Sequence, residues 1–159
     1  MGAVRTVTFR SASPDETRRL GAALGAAARP GDVFLLDGAF GVGKTALVQG
    51  LARGLGVEGY VSSPSFIMLN EHRGRLRLYH VDLYRLEGRL DPETLDALDE
   101  AFDADGVAAV EWPEGLPPEL RAGATVVGIE ALDETTRAIT LTTPSHRLAD
   151  AARLAGARG

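Results

Sequence analysis

The chain has 159 residues, 45% hydrophobic and 25% charged, which suits one soluble domain with a sizeable core. It has no cysteine, which excludes disulfides, thiolate metal sites and a cysteine nucleophile. The net charge of −5 excludes a global basic footprint for nucleic acid, and no apolar run reaches membrane-spanning length.

The N-terminus lacks the apolar stretch of a secretory signal. Gly2 with Thr6 matches a myristoylation pattern, but the pattern is short and has no polybasic support. A cytoplasmic protein without a membrane role is expected.

In chain order, Val4 to Phe9 alternates like an edge strand. Ser13-Pro14-Asp15-Glu16 announces a helix, with Ser13 as cap, Pro14 at the first helical position and Glu16 completing a capping box. That helix runs to about Ala28 and ends at Arg29-Pro30-Gly31-Asp32. Val33 to Leu36 reads as a short buried strand. Leu47, Val48, Leu51 and Leu55 follow helical spacing, with Gly56 as stop signal. Tyr60 to Ser62 reads as extended, and Ser63 to Phe66 as a turn. Phe66 to Glu71 and Leu76 to Val81 form a hairpin about Arg73-Gly74-Arg75. The three arginines 73, 75 and 77 read as a solvated hairpin in preference to a nucleic-acid patch.

Asp91-Pro92-Glu93 starts a further helix, which stops before Asp105-Gly106. Val107 to Val110 is a short buried strand, and Ala124 to Ile129 and Ala138 to Leu141 are antiparallel late strands. Ser145 caps a final helix. The chain is one domain over 1–159, with a core over 1–143 and a C-terminal helix and tail over 144–159. Crossovers and hairpins together predict an α/β domain with a mixed sheet.

Between the strand ending at Leu36 and the helix of Leu47 lies Gly38-Ala39-Phe40-Gly41-Val42-Gly43-Lys44-Thr45. It fits G-x-x-x-x-G-K-[ST] at every fixed position. Glycines let the backbone curl with its N–H groups inward, and these join the following helix's N-terminus in an anion cradle. Lys44 supplies a cation for β- and γ-phosphates, and Thr45 a hydroxyl for Mg²⁺.

Such a loop needs a carboxylate at the end of a neighbouring buried strand. Glu111 directly follows the apolar strand Val107 to Val110 and is the first candidate for a metal or metal-water role. Asp82 follows a less apolar strand and is the second. His80 has no partner at metal-ligand spacing and reads as a packing or hydrogen-bonding residue. Trp112, the only tryptophan, is either a core aromatic or a ring near nucleotide or partner. Ser63 and Ser65 stand either on a plain turn about Pro64 or on a segment that senses the γ-phosphate and Mg²⁺.

Four blocks together resemble the TsaE family, the small ATPases of bacterial threonylcarbamoyladenosine tRNA modification. They are Gly38 to Thr45 with Leu51 to Gly56, Ser63 to Phe66, Tyr79 to Leu86, and Val110 to Pro113. Thr17 with Leu20-Gly21 resembles the family opening. The likeness extends to about Leu141.

The resemblance implies a three-layer P-loop NTPase-like α/β domain with a mixed, partly antiparallel sheet. It implies an enzyme that binds ATP with Mg²⁺ and hydrolyses it weakly alone. It further implies work with TsaD and TsaB, in support of threonylcarbamoylation of the adenosine beside the anticodon of ANN-decoding tRNAs. Contact with tRNA would come indirectly, through the complex. By the same carry-over, Lys44, Thr45 and Ala46 belong to the nucleotide loop, Glu111 serves the metal, Asp82 is the second essential acid, and Trp112 is its neighbour. Ser65 keeps a hydroxyl where the family has Thr, and Thr17 and Arg137 are candidate adenine contacts. Ala39 stands where the family has Asp, which spares phosphate binding and bears on hydrolysis.

Two rival readings are a small-molecule P-loop kinase, with the Arg-rich hairpin as lid, and a non-hydrolysing ATP-sensing module. A GTPase is disfavoured because N-K-x-D is absent.

Overall fold

The computed structural model describes residues 3–39, 41–59, 69–84, 91–102 and 105–156. Phe40, the strand and turn expected over 60–66, and therefore Ser63 and Ser65, lie outside the described residues.

Among these residues a seven-stranded sheet runs in the order β1-β7-β6-β2-β5-β4-β3. The strands are β1 (Arg5–Ser11), β2 (Val33–Asp37), β3 (Leu69–His72), β4 (Arg77–Asp82), β5 (Gly106–Glu111), β6 (Thr125–Ala131) and β7 (Arg137–Thr143). β2 pairs parallel with both β5 and β6, and β4 pairs parallel with β5. The β1–β7, β6–β7 and β3–β4 pairs are antiparallel. The expected mixed sheet is present, with its parallel strands at the centre. Burial explains that placement. Every residue of β5 is buried, and Phe34, Leu35 and Leu36 of β2 are buried on both faces, as parallel strands between two helical layers require.

The helices are α1 (Pro14–Ala27), α2 (Lys44–Gly54), α3 (Pro92–Ala101), the one-turn α4 (Pro118–Arg121) and α5 (His146–Gly156). One core joins Leu20 and Leu24 of α1, Leu47 and Leu51 of α2 and Leu148 of α5 to Phe34, Leu36 and Ala109. The other packs Leu98 of α3 against Leu35, Val81 and Val110. The result is three layers. The C-terminal helix contributes Leu148, Ala149 and Ala152 to the first core.

The caps form where the sequence places them. The Glu16 N–H donates to Ser13 Oγ at 3.2 Å, that of Thr94 to Asp91 Oδ1 at 2.8 Å, and that of Leu148 to Ser145 Oγ at 3.1 Å. One detail differs from a standard capping box. Glu16 accepts from the N–H of Ala12, one residue before the cap, where a standard box uses that of the cap itself.

α1 and α2 cross on glycine. A Cβ at Gly25 would stand 3.0 Å from the Gly54 Cα and closer still to the Leu51 carbonyl, and one at Gly50 would stand 2.9 Å from the Gly21 Cα. Gly21, Gly25, Gly50 and Gly54 therefore form a seam in which backbone meets backbone. It fixes α2, and with it the loop at the head of α2, against the rest of the fold.

Candidate functional site

The sheet register assembles the site. Leu36 of β2 pairs with Glu111 of β5, and Glu111 pairs with Asp82 of β4. Three neighbouring parallel strands thus end level, at the edge where α/β folds place their ligands. Beyond β2 the chain enters the glycine-rich loop, and α2 begins at Lys44. Gly43, its cap, has φ +122 and no side chain to cap the helix, so the first turn's N–H groups are left for a ligand. Gly41 has φ +72, also a left-handed conformation. Gly38 is needed for space, since a Cβ there would stand 2.8 Å from the Ile129 carbonyl oxygen.

A cleft of about 360 Å³ is lined by Gly41, Gly43, Lys44, Thr45, Asp82, Glu111 and Trp112. Lys44 donates from Nζ to the Gly38 carbonyl at 2.8 Å and lies 3.7 Å from the centre of the Trp112 ring. Burial pushes the Lys44 ammonium below the ordinary lysine range, while Glu111, Asp82, Glu114 and Asp37 partly offset that shift. Trp112 has φ +57, the one left-handed residue other than glycine among those described. For a bulky aromatic this conformation costs roughly 1–2 kcal/mol. It swings the ring over Lys44 and against Tyr84, with ring centres 4.9 Å apart. Of the two readings of Trp112, this position puts the ring in the cleft.

Glu111 is 4% exposed and accepts a hydrogen bond from His80, Nε2 to Oε2 at 2.5 Å. His80 is fully buried, and its Nδ1 has no hydrogen-bond partner among the described residues. Asp82 accepts from the Tyr84 N–H at 2.9 Å, which fixes the start of the segment after β4.

The donors that converge here are hard oxygens, from Thr45, Asp82 and Glu111, which suit Mg²⁺. Among the described residues, no group of three His, Cys, Asp or Glu could hold a metal ion by itself. A cation in this cleft would need ligand oxygens from a phosphate group as well. That is the usual manner of Mg²⁺ in nucleotide sites.

Other sequence candidates are not among the residues that line this cleft. Arg137 donates from Nε to the Val42 carbonyl at 2.8 Å and from Nη1 to the Asp133 and Thr136 carbonyls. It ties the β6–β7 turn to the glycine-rich loop. Thr17 is 2% exposed, and its hydroxyl lies 2.7 Å from that of Ser11. Ala46 is buried in the first turns of α2. Ala39 is exposed, and its carbonyl accepts the Val42 N–H at 3.3 Å. Arg75 caps α1, donating to the Gly25 carbonyl at 2.9 Å, and Arg77 pairs with Glu71 at 3.0 Å. Neither forms a lid over the loop.

Sequence reasoning missed the His80–Glu111 bond and the grip of Arg137 on the loop. An acid at one strand end with a histidine two residues before another was the available signal for the first.

A model of the family described as "Threonylcarbamoyl adenosine biosynthesis protein TsaE" matches residues 11–139. Among similar proteins, the tRNA threonylcarbamoyladenosine biosynthesis protein TsaE of Bacillus subtilis is 37% identical over 145 residues, 91% of this chain and 90% of that protein. The protein of the same name from Treponema pallidum is 37% identical over 131 residues, 82% and 96% of the two chains. A crystal structure of Bacillus subtilis YdiB superposes with a TM-score of 0.78 at 31% identity, covering 99% of each chain. With the family model spanning most of the chain and the fold matched end to end, the chain belongs to the TsaE family.

Proposed function

We propose that this protein is an Mg-ATP-binding, weakly hydrolysing subunit that acts with TsaD and TsaB in the cytoplasm. There it supports threonylcarbamoylation of the adenosine beside the anticodon of ANN-decoding tRNAs. The observation that carries the reading is the single cleft in which the glycine-rich loop, Lys44 and Thr45 meet two carboxylates, Asp82 and Glu111. Membership of a threonylcarbamoyl adenosine biosynthesis family supplies the pathway. Among the described residues no helix is long and apolar enough to cross a membrane.

In this reading the loop N–H groups and the head of α2 hold the phosphates. Lys44 exchanges the Gly38 carbonyl and the Trp112 ring for β- and γ-phosphate oxygens. Thr45 and Glu111 would hold Mg²⁺ together with the nucleotide, and the ion would supply neutralisation of charge on the transferring phosphoryl group. Asp82 orients the attacking water. Water adds to the γ-phosphorus, the bond to the β–γ bridging oxygen breaks, and ADP and phosphate leave.

Glu111→Gln tests this reading. The amide keeps the shape and loses the charge, so nucleotide binding should stay within a few-fold of wild type while hydrolysis by the TsaD–TsaB assembly is lost. Calorimetry for binding and phosphate release for turnover decide it. Unchanged turnover would remove Glu111 from the metal role and move that role to Asp82.

A further inference from the structure

His80 and Asp82 lie on one face of β4, and Ala109 and Glu111 on the corresponding face of β5, because side chains alternate along a strand and the register pairs His80 with Ala109 and Asp82 with Glu111. His80 is therefore the diagonal neighbour of Glu111 across the sheet. The imidazole is fully buried, and the Glu111 side chain is 5% exposed. A buried carboxylate needs hydrogen-bond donors, and Nε2 at 2.5 Å from Oε2 supplies one. The ring's other nitrogen fixes its form. Nδ1 is buried with no partner among the described residues. A proton there would be an orphaned donor, whereas a bare nitrogen is only an unused acceptor. The arrangement makes Nε2 the nitrogen that donates to Glu111.

We infer that His80 is a positioning residue for Glu111. It occupies Oε2 and fixes the plane of the carboxylate, so that Oε1 is the oxygen offered to the cleft that Glu111 lines. The inference rests on the proposed metal role of Glu111 and adds a residue to it. The geometry suits the task. A Glu side chain has three rotatable bonds, and the other carboxylate at this edge, Asp82, already receives the Tyr84 N–H. Without His80 the Glu111 carboxylate would sample several orientations in the cleft. It would also be left buried without its donor.

The test uses the full chain with ADP and Mn²⁺, a paramagnetic substitute for Mg²⁺, in His80→Leu, His80→Gln and Glu111→Gln. Gln places an amide N–H₂ near the position of imidazole Nε2, whereas Leu has no donor. Electron paramagnetic resonance titration of Mn²⁺ into the ADP complex should show affinity weakened about 10- to 100-fold in His80→Leu, the usual loss when the partner of a metal-ligating group is removed. His80→Gln should recover most of it. ADP binding in EDTA should stay within about twofold in the two His80 variants, and should tighten in Glu111→Gln, which removes a negative charge from the cleft. Nitrogen-15 spectra of wild type add a readout that does not depend on the metal: a protonated Nε2 and a downfield proton that moves upfield in Glu111→Gln.

Wild-type Mn²⁺ affinity in His80→Leu, alongside a loss in Glu111→Gln, would overturn the inference and leave the metal role of Glu111 standing. Wild-type affinity in both would overturn that role and the inference with it. Equal losses in His80→Leu and His80→Gln, with both folded by thermal unfolding, would show that the ring acts by packing, and would also overturn it. If His80→Leu does not fold, His80→Gln and the proton resonance carry the decision. An Nε2 without a proton in wild type, or weak Mn²⁺ binding in His80→Gln, would refute the assignment.

Discussion

The glycine seam between α1 and α2 gives a substitution whose sign runs against helix propensity. In an exposed helix Gly→Ala is stabilising by about 1 kcal/mol. At Gly25 the added Cβ would stand 3.0 Å from the Gly54 Cα and closer to the Leu51 carbonyl, and both neighbours are backbone that cannot rotate away. Carbon atoms at ordinary contact are about 3.5–4.0 Å apart, so the helices must part by roughly 0.5–1 Å. A gap of about that size forfeits a quarter to a half of each contact along the seam. Overpacking of this kind costs about 1–3 kcal/mol. Net of the propensity gain, Gly25→Ala should destabilise by up to about 2 kcal/mol, toward the upper end because the nearest neighbours are backbone atoms. Gly128→Ala in β6 is the matched control, since the nearest neighbour of a Cβ there is the Thr140 carbonyl oxygen at 4.0 Å. Urea unfolding reads both, as a lower midpoint for Gly25→Ala at unchanged slope and no loss for Gly128→Ala. A Gly25→Ala protein as stable as wild type would mean the helices do not cross in this register.

Arg137→Met should keep the aliphatic stem but strip the Val42 carbonyl of its charged donor, weakening ATP binding several-fold and costing about 1–3 kcal/mol of stability, read by calorimetry and urea unfolding. Asp133 provides a pH test. The Thr135 and Thr136 N–H groups hold its carboxyl below the usual carboxylate range. A depressed folded value means stabilisation that is fully present above the unfolded pKa of about 3.9 and lost as pH falls through the folded value. Asp133→Asn should therefore lower Tm at pH 6, with the gap to wild type closing as the pH is taken down past that value.

What the sequence made legible was local. A phosphate loop is eight consecutive residues, and a cap is settled within four, so Gly38 to Thr45, Ser13, Asp91 and Ser145 could all be read in place. Glu111 and Asp82 were legible for a related reason, since each ends its own strand. The unread features depend on pairing across the fold. Gly21–Gly25 and Gly50–Gly54 repeat a four-residue spacing, yet nothing local says that the two pairs face each other. The three hairpin arginines show the same limit. As a string they form a basic cluster, but in the fold Arg75 closes the end of α1 and Arg77 answers Glu71. The turn and short helix between Trp112 and Arg121 escaped because each is too short to show a periodic apolar pattern, although each of the two elements begins on a proline.

The charges around Lys44 join these residues into one argument. Four carboxylates act on this ammonium, those of Glu111, Asp82, Glu114 and Asp37, and burial still outweighs them in lowering its proton affinity. Held by the Gly38 carbonyl and the face of Trp112, the lysine is the one cation lining a cleft that also contains two of those acids, among the described residues. A triphosphate would add several negative charges to this acidic edge. Repulsion between it and the carboxylates would oppose binding unless a second cation arrived with it. The proposed Mg²⁺ would answer that need, with Glu111 as its ligand and Asp82 as the holder of the attacking water. The same balance bears on Ala39, where the resemblance to the TsaE family implies Asp. The carbonyl of Ala39 still serves the loop through Val42, and Asp37 already places a carboxylate within electrostatic reach of Lys44. With that charge present two residues away, an alanine at 39 reduces repulsion toward the nucleotide and leaves the backbone cradle intact.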